Sequence, residues 1–129
     1  MTITESNLLI ALFDGWQPVG DRLVKHSERE TRIPEHLFYH FQWNWLMPVV
    51  DRIESLKAPG RYIICQVTIT SHICHIHYNA GNVTVQNLPV FEIDQHRSDT
   101  ETKIENVYSA VVQFIQWYNQ YKPITNATT

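Results

Sequence analysis

Apolar positions along this chain repeat with two different periods, and the period changes where the predicted structure changes. Near the start, Leu8, Leu9, Leu12 and Phe13 recur at helical intervals behind Thr2 and Glu5, a pair with capping-box spacing, until Asp14-Gly15 stops them. A short amphipathic helix follows from this. A second stripe of Leu46, Val49, Val50, Ile53 and Leu56, with Asp51, Arg52, Glu54 and Lys57 turned away, predicts another helix. Asn44 or a near neighbour caps it, Pro48 falls in or just past its first turn, and Ala58-Pro59-Gly60 ends it. The strongest pattern is the last: Ser98 and Glu101 have capping-box spacing, and Ile104, Val107, Tyr108, Val111, Val112, Ile115 and Tyr118 then follow by threes and fours. This predicts a helix from about Ser98 to about Tyr121, ended by Pro123 at the latest.

Between the second and third stripes the period falls to two. Ile63, Cys65, Val67 and Ile69 alternate with Tyr62, Ile64, Gln66, Thr68 and Thr70, and His72 to Asn79 continues in that style. Asn79-Ala80-Gly81-Asn82 reads as a turn into a third strand, Val83 to Leu88. Short connections imply an antiparallel meander. Tyr62 and Ile64 on its second face favour helices on both sides, so the expectation is an α+β, three-layer α/β/α sandwich with about three strands and three main helices. Residues 17–42 form an irregular loop punctuated by Pro18, Gly20 and Pro34, in which Arg22 to His26 and Leu37 to Gln42 fit short strands or turns of helix. Residues 122–129 read as a frayed tail, and 1–129 as one domain.

Composition narrows the function classes. Of 129 residues 43% are hydrophobic, with four Trp, six Tyr and five Phe, which is enough apolar bulk to form a core. Net charge is −3 and the cations form no block, so no nucleic-acid partner is expected; the mixed stretch Asp21 to Arg32 reads as a solvated loop. No apolar run is long enough to span a membrane, and the start lacks a basic region and cleavage pattern. Cys65 and Cys74 both fall in strand-like segments, where a small buried thiol is common, and a reducing cytoplasm is the expected location.

Trp43-Asn44-Trp45-Leu46-Met47-Pro48-Val49-Val50-Asp51-Arg52-Ile53-Glu54, the run from Lys103-Ile104-Glu105 to Phe114-Ile115-Gln116-Trp117-Tyr118-Asn119, and Leu12-Phe13-Asp14-Gly15-Trp16 together resemble the phage ABA sandwich domain family. The resemblance spans most of the chain. It implies an α/β/α sandwich encoded in phage, prophage or gut-bacterial genomes, and brings no catalytic or ligand-binding residues with it. The stretch from Pro18 to Phe41 is longer and more charged than the family leads one to expect, which makes it the place for a specialised role.

Residue chemistry offers few constellations. His75 and His77, two apart in a strand, project from one face and are candidate metal ligands, while His72 and Cys74 take the other face. A third ligand would have to come from His36, His40, His96 or a carboxylate such as Asp94. His36 and His40 have the spacing of a helical metal pair without the glutamate of the metalloprotease motif, and Cys74 in an apolar strand reads as inert. No catalytic residue and no cofactor are expected. The aromatics Trp43, Trp45, Trp117, Tyr118 and Tyr121 exceed what one helix stripe can bury, and Phe114, Trp117 and Tyr121 are the candidate interface. The favoured reading is a phage or prophage accessory protein acting by protein binding, on an unknown partner or on itself as a homo-oligomer. The alternatives are a metal-dependent enzyme built on the His-x-His pair and a small-ligand or nucleotide binder with its pocket beside the irregular loop.

Overall fold

The computed structural model describes residues 1–25, 31–56, 63–80 and 90–127. The fold is α+β, with helices α1 (Ile3–Phe13), α2 (Trp43–Glu54) and α3 (Lys103–Ala127). A hairpin pairs β1 (Gln17–Val19) with β2 (Arg22–Val24), and an antiparallel sheet has β3 (Ile63–Ile69), β4 (Ile73–Ala80) and β5 (Val90–His96) in that order. The meander is as expected, but its third strand is Val90–His96; the predicted Val83–Leu88 lies outside the described residues, as does the Gly81-Asn82 end of its turn. Alternation is cleaner in β5 than the sequence suggests: Phe91, Ile93 and Gln95 are half-buried while Glu92, Asp94 and His96 are exposed.

Helix α1 starts on the predicted capping box of Thr2 and Glu5 and closes on Gly15, whose φ of 100° suits glycine. Trp16 N–H bonds back to the Ala11 carbonyl and Gly15 N–H to Leu12, the pattern of a Schellman stop. Its inward face is not the expected one. Ser6, Asn7, Ile10 and Ala11 are buried, Leu8, Leu9 and Phe13 are half-buried, and Leu12 is exposed.

In α2 the expected stripe holds, with Leu46, Val49, Val50 and Ile53 buried. Gln42, not Asn44, takes the cap position and makes no side-chain bond, and Ser55 follows the last turn; Ala58-Pro59-Gly60 lies outside the described residues. Pro48 is tolerated inside the helix because Asn44, whose carbonyl loses its donor, is exposed to water.

Helix α3 begins one turn later than expected. The reciprocal box is Thr102 with Glu105: Thr102 N–H donates to Glu105 Oε1 at 3.0 Å, and Glu105 N–H to Thr102 Oγ1 at 3.3 Å. At Ser98 only the return bond forms, from its N–H to Glu101 Oε1, and this ties a turn ahead of the helix. The helix also continues through Pro123 to Ala127, so the tail expected from residue 122 is helical to there; a proline near a helix end removes one bond from a long ladder.

The described residues show a sheet with helices on one of its faces. Helix α2 lies against β3, α3 against β4 and β5, and α1 chiefly against α3. One sheet face, carrying Cys65, Cys74, Ile76 and Tyr78, joins the core with both α2 and α3. The opposite face shows Gln66, Thr68, Glu92 and Asp94 to solvent, and among the described residues no helix covers it. The described part of that face is polar and needs no apolar cover. Tyr62 and the Ile64 side chain, on which the second cover rested, lie outside the description.

The irregular loop is more integrated than a solvated segment. Gly20, at φ 62°, turns β1 into β2; Leu23 exchanges both backbone bonds with Arg32; and Leu23, Leu37 and Tyr39 are buried. The Arg32 guanidinium lies 4.8 Å over the Trp45 ring, which is stacked parallel to Trp16.

Candidate functional site

Among the described residues, a groove of about 570 Å³ opens where α1, the segment ahead of α2 and the start of α3 meet. Its walls are Ile3, Phe41, Ile104 and Tyr108, and Glu101, Thr102, Glu105 and His40 complete it. Phe41 is 52% exposed and Ile3 57%, so apolar surface is open to water beside a preformed hollow.

Behind the groove lies a polar network centred on Asn7, which is almost fully buried. Its amide N–H groups donate to the Leu37 carbonyl at 3.0 Å and to His40 Nδ1 at 2.9 Å, and its oxygen accepts from the Tyr108 hydroxyl at 3.0 Å. The Leu37 carbonyl only accepts, which fixes the amide orientation and makes His40 Nδ1 an acceptor; the imidazole is then neutral with its proton on Nε2. Burial lowers the His40 pKa in the same sense and pushes the Tyr108 hydroxyl up to about 12. Three elements are thereby locked together around the hollow. His36 sits on a separate, exposed 3-10 turn (Pro34–His36), so His36 and His40 are not a helical pair.

The rim of the groove is acidic. Glu101 accepts from Ser98 N–H, and Glu105 accepts from the N–H and hydroxyl of Thr102, bonds that hold the Glu105 carboxyl below its ordinary range.

A smaller cleft of about 250 Å³ lies between Asp14, Trp16, Lys25, Arg32, Asn44, Trp45 and Pro48. Lys25 Nζ is 3.0 Å from Asp14 Oδ2, which also accepts from the Tyr39 hydroxyl at 2.8 Å, while Arg32 lies over the Trp45 ring. Burial and the Asp14 carboxylate push the Tyr39 hydroxyl far above the ordinary phenol range. The Trp16 indole N–H is buried in the same cleft, near the Tyr39 hydroxyl. This cleft clamps the hairpin onto α2.

On the open sheet face, His75 and His77 do share a side, with Cys74 on the other, as the period of two requires. Strand pairing sets His77 opposite Glu92 and His75 opposite Asp94. His75 Nε2 lies 3.1 Å from Glu92 Oε1 and 3.9 Å from Asp94 Oδ1, and His77 Nδ1 lies 3.6 Å from Glu92 Oε2. Among the described residues, no group of three or more His, Cys, Asp or Glu is arranged to hold a metal ion. Both cysteines are free and buried, and burial pushes the Cys65 thiol up to about 12 and the Cys74 thiol up to about 11, which removes the thiolate a nucleophile needs.

No family model, curated protein or solved structure matches this chain. Site assignment therefore rests on its own geometry.

That geometry changes the expected interface. Phe114 is fully buried, 5.5 Å from Phe91, 5.8 Å from Tyr118 and 6.1 Å from Tyr78, so it belongs to the core. The α3 stripe is rotated toward Asn106, Ala110 and Phe114, because small Ala110 lets the sheet approach while Phe114 fills the space between β4 and β5. Trp117 is half-buried against Phe91 and Tyr78, and the Tyr121 side chain lies outside the description. One alternative reading set a pocket beside the irregular loop, and His40 and Phe41 of that loop line the groove; its other walls, far apart in the chain, were not anticipated. The available signal was Phe41, an aromatic in a loop without an apolar stripe to join. No helix among the described residues is long and apolar enough to cross a membrane.

Proposed function

We propose that this chain is a non-enzymatic binding protein that engages another protein through the groove between α1, Phe41 and the start of α3. The observation that supports this is the exposed pair Ile3 and Phe41, beside a hollow braced by the Asn7 network. Bracing matters because a preformed surface loses less entropy on association than one that must order itself. Its setting as a phage or prophage accessory protein is what the resemblance of the Leu12–Trp16, α2 and α3 segments implies, and the reducing cytoplasm is what its two free cysteines suggest.

A photo-crosslinking amino acid at position 41, expressed in a bacterial host, tests the reading. Discrete adducts from position 41, and none from position 66 on the open sheet face, are expected. An adduct of twice the chain's mass assigns the partner as a second copy. Equal labelling from both positions, or none from 41, overturns groove-mediated binding.

A further inference from the structure

We infer that the groove is built for a partner segment presenting a lysine or arginine next to an apolar side chain. This rests on the reading of the groove as the protein-binding site, and it names the chemistry of what docks there. Apolar walls from Ile3, Phe41, Ile104 and Tyr108 call for an apolar group, while the only full charges among the lining residues are the carboxylates Glu101 and Glu105. Among the described residues, no lysine or arginine lines the hollow. His40 adds no positive charge, since its Nδ1 accepts the Asn7 amide proton.

The starts of α1 and α3 both lie here and oppose this preference, because a helix N-terminus favours anions. Each carries about half a unit of positive charge, so together they offset roughly one of the two carboxylates and leave the site negative. An acidic partner would add repulsion, and a wholly apolar one would strip water from Glu101 and Glu105 without replacing it. A basic head on an aliphatic stem satisfies both parts of the surface, as its methylenes lie along Ile104 and Phe41 while the charge reaches the rim. The carboxylates are already oriented by bonds to Ser98 and Thr102, so pairing costs them little further ordering.

The probes are two peptides, acetyl-Phe-Lys-amide and acetyl-Phe-Glu-amide, titrated into the isotope-labelled full chain and followed by amide and methyl shifts. Saturable shifts at Ile3, Phe41, Ile104 and Tyr108 with the lysine peptide, and weaker binding of the glutamate peptide, are expected. Glu101→Gln and Glu105→Gln keep the hydrogen bonds and remove the charge, and each should weaken the lysine peptide about two- to fivefold. Raising salt on the unaltered protein should weaken it as well, a check that needs no variant. Equal binding of both peptides, insensitivity to salt, or no saturable shift at the groove overturns the inference. The position-41 crosslink separates this from the broader reading: an adduct to a partner segment without lysine or arginine sinks the charge preference alone, whereas no adduct sinks groove-mediated binding itself.

Discussion

Asn7 is the polar residue on which the inner architecture of the groove depends. It is buried, with both amide N–H donors used on the Leu37 carbonyl and His40 Nδ1 and its oxygen accepting from the Tyr108 hydroxyl. Asn7→Leu keeps similar volume while removing the amide donor from the Leu37 carbonyl and from His40 Nδ1, and should cost about 1–3 kcal/mol in urea unfolding. Such a role is invisible in local sequence. Its partners lie 30 to 101 positions away, so the apolar spacing of Leu8, Leu9, Leu12 and Phe13 drew the predicted stripe to the wrong face. His40 adds a pH signature. Because burial lowers its pKa from the ordinary 6.5, the unfolded chain takes up a proton first as pH falls through that value, and stability drops; above it both states are neutral and the term vanishes. Urea midpoints at pH 7.5 and 5.5 should show this loss, and His40→Gln should reduce it. An unchanged pH dependence in His40→Gln would remove His40 from the network.

At the scale of elements, α3 shows how far a local pattern reaches. Two Ser/Thr-x-x-Glu sequences lie in tandem, Ser98 to Glu101 and Thr102 to Glu105, and spacing alone cannot rank them. Only the second bonds the helix's own N–H groups, and there the Asn106 side chain anchors the first turn to the Gln95 carbonyl of β5. Thr102→Ala should therefore cost about 1 kcal/mol in chemical denaturation, with Ser98→Ala clearly smaller. A larger effect at Ser98 would move the start of the helix back to where the sequence placed it. Further along, Phe114→Ala should cost about 3–5 kcal/mol, since a fully buried ring among Tyr78, Phe91 and Tyr118 leaves a cavity. A surface ring would cost far less. The stripes of α2 and the alternation of β3 and β4 were legible because period alone decides them, whereas the rotation of α3 depends on sheet residues such as Phe91, in a strand the pattern did not show.

Over the whole molecule, the sheet divides into a face that joins the core and a face left to solvent, and this division decides what His75 and His77 do. The sequence placed both on one side of β4; it could not place Glu92 and Asp94 beside them, because Val90–His96 was not among the predicted strands. Donor atoms at 3.1, 3.6 and 3.9 Å resemble a ligand set in number. Resident metal sites, however, hold their histidines and carboxylates with outer hydrogen bonds that fix ring orientation. Here the histidine side chains are 32% and 30% exposed and the carboxylates 57% and 58%, and the recorded contacts are those the side chains make with one another. Exposed pairs of this kind contribute about 0–1 kcal/mol and are screened by salt. The double variant His75→Ala, His77→Ala should accordingly melt close to the parent, and elemental analysis after gentle purification should find no stoichiometric metal in either. Zinc at one equivalent in the parent, lost in the double variant, would instead make this open face a metal centre and bring the enzyme reading forward over the groove.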